Sequence, residues 1–182
     1  MPDFYEVLKT RRSVRAYTDS PVDEKELKEV IDLAAWAPSG TNRQPWTFTV
    51  IADKGLMNRL NDRVKAILRE SPDPYFANYA NDPSYHIFYH APALIIINGD
   101  VQVPSAMIDC QLAIENLFLA AHAKGLGTCY MGLLLLARDD LQVRQLLRVP
   151  DSHGLMAATA IGYPAATPPA PPRNPVQIMW IR

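Results

Sequence analysis

The feature that most constrains the fold is a predicted helix whose side chains are apolar on nearly every face. Residues 105–124 have helical spacing, and Gly125 follows as a stop, since glycine readily adopts the conformation that ends helices. Such a helix must be buried on several sides. In a chain of 182 residues, enough for one well-buried domain, this pattern indicates a subunit interface. Its apolar residues are Met107, Ile108, Leu112, Ile114, Leu117, Phe118 and Ala121.

Apolar periodicity predicts the other main elements. Capping-box patterns at Asp3 and Asp23 predict a short first helix and a second that stops before Pro38. Two further helices are predicted over residues 56–70 and 139–147. Strands are predicted at 46–50, where apolar residues alternate with threonine, and at 91–99 and 155–162.

The segment 71–90 is interrupted by Pro72, Pro74 and Pro83 and is predicted to be a loop region. Its aromatic residues either pack under a long loop or form a lid over a flat aromatic ligand. His86 and His90 have the i, i+4 spacing of a metal pair, but no third ligand completes a known pattern, so no metal is predicted. The aromatic residues are Tyr75, Phe76, Tyr79, Tyr85, Phe88 and Tyr89.

Charge and composition narrow the function classes. The net charge of −1 argues against nucleic acid or an anionic membrane as the main partner. No apolar run approaches the roughly 20 residues that a membrane helix needs, and the acidic N-terminus is unlike a signal peptide. Two cysteines, Cys110 and Cys129, form no disulfide framework. We therefore expect a cytoplasmic protein.

Two polar segments are candidates for ligand binding. Residues 9–15 carry four cations and two hydroxyls, which fit either a helix C-terminus or a phosphate site. Residues 37–46, Ala-Pro-Ser-Gly-Thr-Asn-Arg-Gln-Pro-Trp, place hydrogen-bonding groups between two rigid prolines. That loop is either a helix-to-strand connection or a holder for a planar polar ligand.

The C-terminal segment has a composition unlike the rest of the chain. Six of the twelve residues from 164 to 175 are proline, so this stretch favours an extended conformation and cannot pair within a central sheet. The apolar residues Val176, Ile178, Trp180 and Ile181 follow it, which favours a docked arm over a free tail.

Four motifs in this order resemble the FMN-dependent nitroreductase family. They are Arg11-Arg12-Ser13-Val14-Arg15, the loop 37–46, the segment 125–132 (Gly-Leu-Gly-Thr-Cys-Tyr-Met-Gly), and Ile161-Gly162-Tyr163-Pro164. The resemblance implies an α+β, nitroreductase-like fold with a central, mostly antiparallel sheet flanked by helices. It also implies one domain over residues 1–182, with an extended C-terminal arm at 163–182, in an intertwined homodimer. FMN would bind at the dimer interface.

The resemblance also implies roles for residues of this chain. Arg11 and Ser13 would bind the FMN phosphate or ribityl chain together with Arg173 from the arm, and Arg12 is a further member of that group. Arg15 would lie near the N1–O2 edge of the flavin. The remaining cofactor-binding residues are Pro38, Ser39 and Gly40 from the partner subunit, Asn42 and Gln44 with their amide groups, and the backbone around Met131 and Gly132.

The implied function is that of an oxidoreductase. Hydride would pass from NADH or NADPH through flavin N5 to nitroaromatics, quinones or similar electron-poor acceptors, and no side chain is expected to act as a general base or nucleophile. The alternatives are other flavin chemistry on this fold (dehalogenation, enone reduction or dehydrogenation), a non-catalytic flavin-binding protein, or a structural dimer with surface arginines.

Overall fold

The computed structural model describes residues 3–182. Its helices are α1 (Phe4–Thr10), α2 (Glu24–Ala34), α3 (Lys54–Arg69), α4 (Pro74–Asn81), α5 (Ala106–Ala123), α6 (Gly132–Leu135) and α7 (Leu141–Leu146). Its strands are β1 (Trp46–Ile51), β2 (Ala93–Asp100), β3 (Gly127–Tyr130) and β4 (His153–Gly162). Met1 and Pro2, which belong to the segment used to argue against a signal peptide, lie outside the described residues.

The four strands form one antiparallel sheet in the order β1-β2-β4-β3. Trp46 pairs with Gly99 in the β1–β2 ladder, Ala93 with Ile161 in the β2–β4 ladder, and Gly127 with Gly162 in the β3–β4 ladder. The prediction of an α+β fold with a mostly antiparallel central sheet is therefore confirmed.

Helices cover both faces of the sheet. On β2, Leu94 and Ile96 point into a core that contains the buried residues of α3, α6 and α7. Ile95 and Ile97 point the opposite way, into a core shared with α2 and α5. Because successive side chains of a strand alternate between faces, the apolar run 93–97 of β2 requires this covering on both sides.

Most of the predicted elements are confirmed, with small shifts at their ends. The Asp53 side chain accepts a hydrogen bond from Leu56 N at the start of α3, and Gly125 has the expected positive φ of +81° after α5. The capping box at Asp3 is wrong, because the Asp3 side chain accepts no capping hydrogen bond. The second helix ends at Ala34, before Pro38, in a turn.

Two elements differ from the predictions. Segment 71–90 is not a loop throughout: α4 begins with Pro74 in the first turn, where a missing N–H costs nothing, and Asp73 caps it by accepting from Tyr75 N. Strand β3 was not predicted. It is only four residues long, and its pairing with β4 decides its conformation.

The two ends of the chain meet at the β3 edge of the sheet. Val14 N donates to Thr128 O at 2.9 Å, and Thr18 N donates to Tyr163 O at 2.9 Å. Ala165 N then donates to Ala16 O at 2.9 Å. These backbone hydrogen bonds hold the N-terminal basic segment beside the start of the C-terminal arm.

Beyond this anchor the arm is exposed. The predicted docking of its apolar residues does not occur against its own protomer, where Trp180 is 75% exposed and Ile181 is 90% exposed. Helix α5 also presents an apolar face, on which Ile108 is 65% exposed. Within residues 3–182, no helix combines the length and apolar character needed to cross a membrane.

Candidate functional site

A cleft between the two chain ends brings the predicted phosphate-binding residues together. We call it the basic cleft; it has a volume of about 430 Å³. It is lined by Arg11, Arg12, Ser13, Arg15, Pro168, Pro169, Pro171 and Arg173. The arginine of the C-terminal arm thus faces the same cavity as three arginines from the start of the chain.

In the described part of the chain, the four arginines of the basic cleft have no carboxylate partner. Among residues 3–182, no Asp or Glu oxygen lies within 4.0 Å of the side-chain nitrogens of Arg11, Arg12, Arg15 or Arg173. Like charges held together without counter-ions repel one another, so an anion is the complementary ligand for this arrangement.

The two neighbouring arginines differ in their contacts. Helix α1 ends at Thr10, and the Arg12 guanidinium donates to Lys9 O at 2.8 Å and to Arg11 O at 2.6 Å. The guanidinium carbon of Arg11 instead lies 5.7 Å from the centre of the Phe118 ring on α5. Arg12 therefore has part of its donor capacity occupied, whereas the guanidinium of Arg11 has no hydrogen-bond acceptor among residues 3–182.

His122 lies close to Arg11 and Arg12 and contacts Thr10. His122 Nε2 lies 2.8 Å from Thr10 Oγ1. Burial lowers the pKa of His122, and the nearby charges of Arg11 and Arg12 lower it further. The imidazole therefore stays uncharged near pH 7 and adds no further positive charge to the arginines.

The end of strand β3 provides open backbone near the basic cleft. Ser13 bridges to Thr128 in β3, and Met131 follows that strand, with its N–H donating to Ala158 O at 2.8 Å and its side chain buried. At Gly132, an added Cβ would have only the Tyr130 ring nearby, 4.0 Å away. This position gives a flat ligand access to the backbone.

Residues 39–44, the polar loop, lie elsewhere on the protomer. Gly40 N donates to Asp109 Oδ1 in the first turn of α5, at 3.1 Å, whereas Thr10 beside the basic cleft contacts His122 in its last turn. Asp109 and His122 are 13 residues apart, which corresponds to about 20 Å along a helix. Pro38, Ser39, Gly40, Asn42 and Gln44 therefore do not line the basic cleft of their own chain.

An aromatic series leads from the surface to Arg15. Its ring centres are 5.0 Å apart for Tyr75 and Tyr79, 4.8 Å for Tyr79 and Tyr85, and 5.9 Å for Tyr85 and Tyr89. The guanidinium carbon of Arg15 lies 5.9 Å from the centre of the Tyr89 ring. The aromatic residues of segment 71–90 thus pack on one another and end beside one of the four arginines.

Sequence reasoning missed Tyr89, Asp109 and His122 as individual site residues. Asp109 had a usable signal, since an acid within an almost uniformly apolar helix needs a polar partner. Tyr89 has a φ of +53°, which no sequence pattern predicts. In the described part of the chain, no group of three or more His, Cys, Asp or Glu side chains is arranged to hold a metal ion.

Comparison with known proteins gives a consistent match. The family model described as "Nitroreductase family" matches residues 8–163. A nitroreductase with bound FMN from Bacteroides fragilis is 31% identical, has a TM-score of 0.91, and is covered over 100% of both chains.

Two curated relatives extend the match to other activities. An FMN reductase (NAD(P)H) from Bacillus subtilis is 26% identical over 179 residues, which cover 96% of this chain and 71% of the relative. An iodotyrosine deiodinase from Thermotoga neapolitana is 26% identical over 187 residues, which cover 99% of this chain and 98% of the relative.

The sheet, the flanking helices and the basic cleft agree with these matches. The fold and cleft define an α+β protein with a cluster of arginines between its chain ends. The chain belongs to the nitroreductase family.

Proposed function

We propose that this protein is an FMN-dependent oxidoreductase that passes hydride from NADH or NADPH to nitroaromatics, quinones or similar electron-poor acceptors. The observation that carries the proposal is that four arginines from both ends of the chain line one cleft without a carboxylate partner in the described residues. Two relatives support it: one is named as an NAD(P)H-dependent FMN reductase, and the other is a nitroreductase solved with bound FMN.

The donor set of the basic cleft fits the phosphate of FMN. Arg11, Ser13 and Arg173 offer two guanidiniums and a hydroxyl, which bind a phosphate through charge-assisted hydrogen bonds. Arg12 serves mainly as a nearby charge, because its guanidinium already donates to two backbone carbonyls.

Arg15 and the backbone around Met131 and Gly132 would contact the flavin ring. Bound FMN would supply two-electron redox chemistry at its N5 atom. Arg15 offers a fixed cation that stabilises negative charge on the pyrimidine edge of the ring, and the backbone around Met131 and Gly132 leaves room for a flat group. The protein's part is to bind, orient and tune, so no side chain needs to act as a general base.

A second copy of the chain completes this site. The loop 39–44 lies about 20 Å along α5 from the basic cleft of its own protomer, so its amide groups serve the cleft of a partner. The exposed apolar face of α5 and the exposed arm supply surfaces that a homodimer would bury. We propose one domain over residues 1–182, with 163–182 as the arm that reaches the partner.

One observation favours a second candidate function. The deiodinase relative matches 98% of its own length, so reductive dehalogenation of a phenolic substrate is an alternative on the same fold. The aromatic series that ends at Tyr89 suits either a nitroaromatic or a phenol by stacking.

Absorption spectroscopy tests the proposal. The purified protein should bind FMN and become yellow, and anaerobic NADH or NADPH should bleach the flavin band. Mixing with nitroaromatic, quinone and iodotyrosine acceptors in a stopped-flow instrument should identify the acceptor that restores the band fastest. Protein that stays colourless after incubation with FMN would refute the proposal, and flavin that neither nucleotide bleaches would favour a non-catalytic flavin carrier.

A further inference from the structure

The loop 39–44 is held in an uncommon backbone conformation. Thr41, Asn42 and Gln44 have φ values of +51°, +57° and +47°, in the left-handed region that non-glycine residues seldom adopt. Such a conformation persists only where surrounding contacts fix it. The loop must therefore be anchored to a rigid part of the protein.

Most hydrogen bonds of the loop are internal to it. Gln44 N donates to Ser39 Oγ at 3.0 Å, and Gln44 Nε2 donates to Asn42 Oδ1 at 3.1 Å. Within the described chain, Gly40 N is the group of this loop that hydrogen-bonds to another element, and its acceptor is Asp109 Oδ1 at 3.1 Å. A single carboxylate thus connects the loop to α5.

The contact between the loop and the start of α5 is closely packed. Asp109 is only 3% exposed, and its second oxygen accepts from Ser105 Oγ at 2.8 Å. A Cβ at Gly40 would lie 2.6 Å from Ser105 Oγ, so a larger residue there would force the Ser105 side chain to move. Asp109 lies in the first turn of α5, where the helix dipole stabilises a negative charge.

We propose that Asp109 is a positioning residue for cofactor binding, which fixes the loop 39–44 of each protomer in the shape that the partner's FMN site requires. This inference rests on the proposed function, because it takes the loop as a flavin contact. A buried carboxylate needs hydrogen-bond donors, and Gly40 N and Ser105 Oγ supply one to each oxygen of Asp109. Because Asp109 accepts both bonds, it holds the strained loop in place before FMN arrives.

The test compares Asp109→Ala with Asp109→Asn and a matched control. Asp109→Ala should raise the FMN dissociation constant roughly 10-fold, because the loop must be ordered at the moment of binding. Asp109→Asn retains an acceptor for Gly40 and a donor for Ser105, so it should recover most of the affinity. Glu70→Ala removes an exposed acid just after α3, outside both the loop and α5, and should match the wild type.

Hydrogen exchange gives a readout that does not depend on flavin. In FMN-free protein, amides 39–44 should exchange roughly 10-fold faster in Asp109→Ala than in the wild type, while β2 stays protected. If that variant does not fold, Ser105→Ala weakens the same contact while leaving the carboxylate, and should show a smaller change in the same direction.

The outcomes separate this inference from the proposed function. A folded Asp109→Ala protein with wild-type loop exchange or wild-type FMN affinity would overturn the role of Asp109 alone. Wild-type protein that fails to bind FMN would overturn both. Faster exchange together with weaker FMN binding, restored by asparagine, would support the inference.

Discussion

Arg11 and Arg12 carry the same charge next to each other but have different free hydrogen-bonding capacity. The guanidinium of Arg12 donates to two carbonyls at the end of α1, while that of Arg11 has no protein acceptor among the described residues. A phosphate in the basic cleft would therefore gain direct hydrogen bonds from Arg11 and mainly Coulomb attraction from Arg12. Solvent weakens the second effect more than the first.

This difference predicts unequal effects of two matched substitutions. Arg11→Ala should weaken FMN binding by roughly 10- to 100-fold, the equivalent of one charge-assisted hydrogen bond, and Arg12→Ala by less than about 10-fold. Fluorescence titration of FMN at fixed salt measures both. Equal losses in the two variants would show that total charge alone, rather than free donors, decides affinity.

His86 gives the fold a pH-dependent contribution to stability. Burial first, and then the neighbouring His90, lower the pKa of His86 to about 4. Its ring accepts from Phe88 N at Nδ1, 3.2 Å away, and Nε2 lies 3.3 Å from Asn58 Oδ1, an arrangement that suits the neutral ring. Since the unfolded histidine titrates near pH 6.5, the unfolded state binds more protons between about pH 4 and 6.5.

The stability supplied by neutral His86 should therefore be lost as the pH falls through this window. His86→Asn should flatten the fall of the melting temperature between about pH 6.5 and 4.5, relative to the wild type. The effect should be modest, because the ring is partly exposed to solvent and its charge is screened. His153→Asn serves as the control. A variant at position 86 with the wild-type pH slope would contradict the assignment.

At the scale of elements, one polar face of α3 holds the segment that carries the tyrosines. Lys65 Nζ donates to Asp82 O at 2.6 Å and to Tyr85 O at 2.9 Å. One turn earlier, Asn61 Oδ1 accepts from Ile87 N at 2.9 Å. Because both side chains are buried, these bonds fix residues 82–87 to the helix and so set the position of Tyr89 near Arg15.

Lys65→Met keeps the length of the side chain but removes the ammonium donor. The carbonyls of Asp82 and Tyr85 would lose their buried partner, at a cost of about 1–3 kcal/mol, so the melting temperature should fall by roughly 5 °C. Hydrogen exchange should rise over residues 79–90 before it rises in β2. Lys54→Met, at an exposed position of the same helix, is the control. Unchanged hydrogen exchange in residues 79–90 would show that Lys65 does not hold this segment on α3.

The elements that sequence reasoning predicted are those that a local pattern determines. Helix α3 follows from its apolar spacing, and β2 follows from its continuous apolar run. Helix α4 was missed because three prolines were counted as breaks, although Pro74 occupies the helix position that tolerates proline. Strand β3 was missed because its four residues gain their conformation from β4.

The candidate site also has parts that the sequence predicts and parts that depend on tertiary packing. The basic segment and the arm are each visible in the sequence, but their meeting depends on backbone hydrogen bonds across more than 140 residues, such as Thr18 N to Tyr163 O. Family resemblance, rather than local pattern, predicted that Arg173 joins Arg11. The contacts of Tyr89 and Asp109 depend on tertiary packing that no local pattern contains.

At the scale of the whole molecule, the arm has two separable parts. Its proline-rich part carries Arg173 beside the basic cleft, and its last residues are apolar and exposed on the isolated protomer. Exposed tryptophan and isoleucine side chains gain free energy when a partner covers them. The end of the arm should thus serve dimer formation, and the middle should serve the phosphate.

Two truncations test this division. Deleting residues 176–182 should weaken the dimer while sparing Arg173, and deleting 168–182 should in addition lower FMN retention at any given dimer fraction. Analytical ultracentrifugation and flavin absorbance at several protein concentrations measure both quantities. A protein that lacks 168–182 but remains dimeric and saturated with flavin would contradict the proposed roles of the arm.

The most direct test is the ratio of dissociation constants for riboflavin and FMN, because riboflavin lacks the phosphate. Wild-type protein should bind FMN at least roughly 100-fold more tightly than riboflavin, as expected for more than one charge-assisted contact. That ratio should fall about 10-fold or more in both Arg11→Ala and Arg173→Ala, and should be unchanged in Arg182→Ala. If Arg173→Ala keeps the wild-type ratio, the two ends of the chain do not share one phosphate.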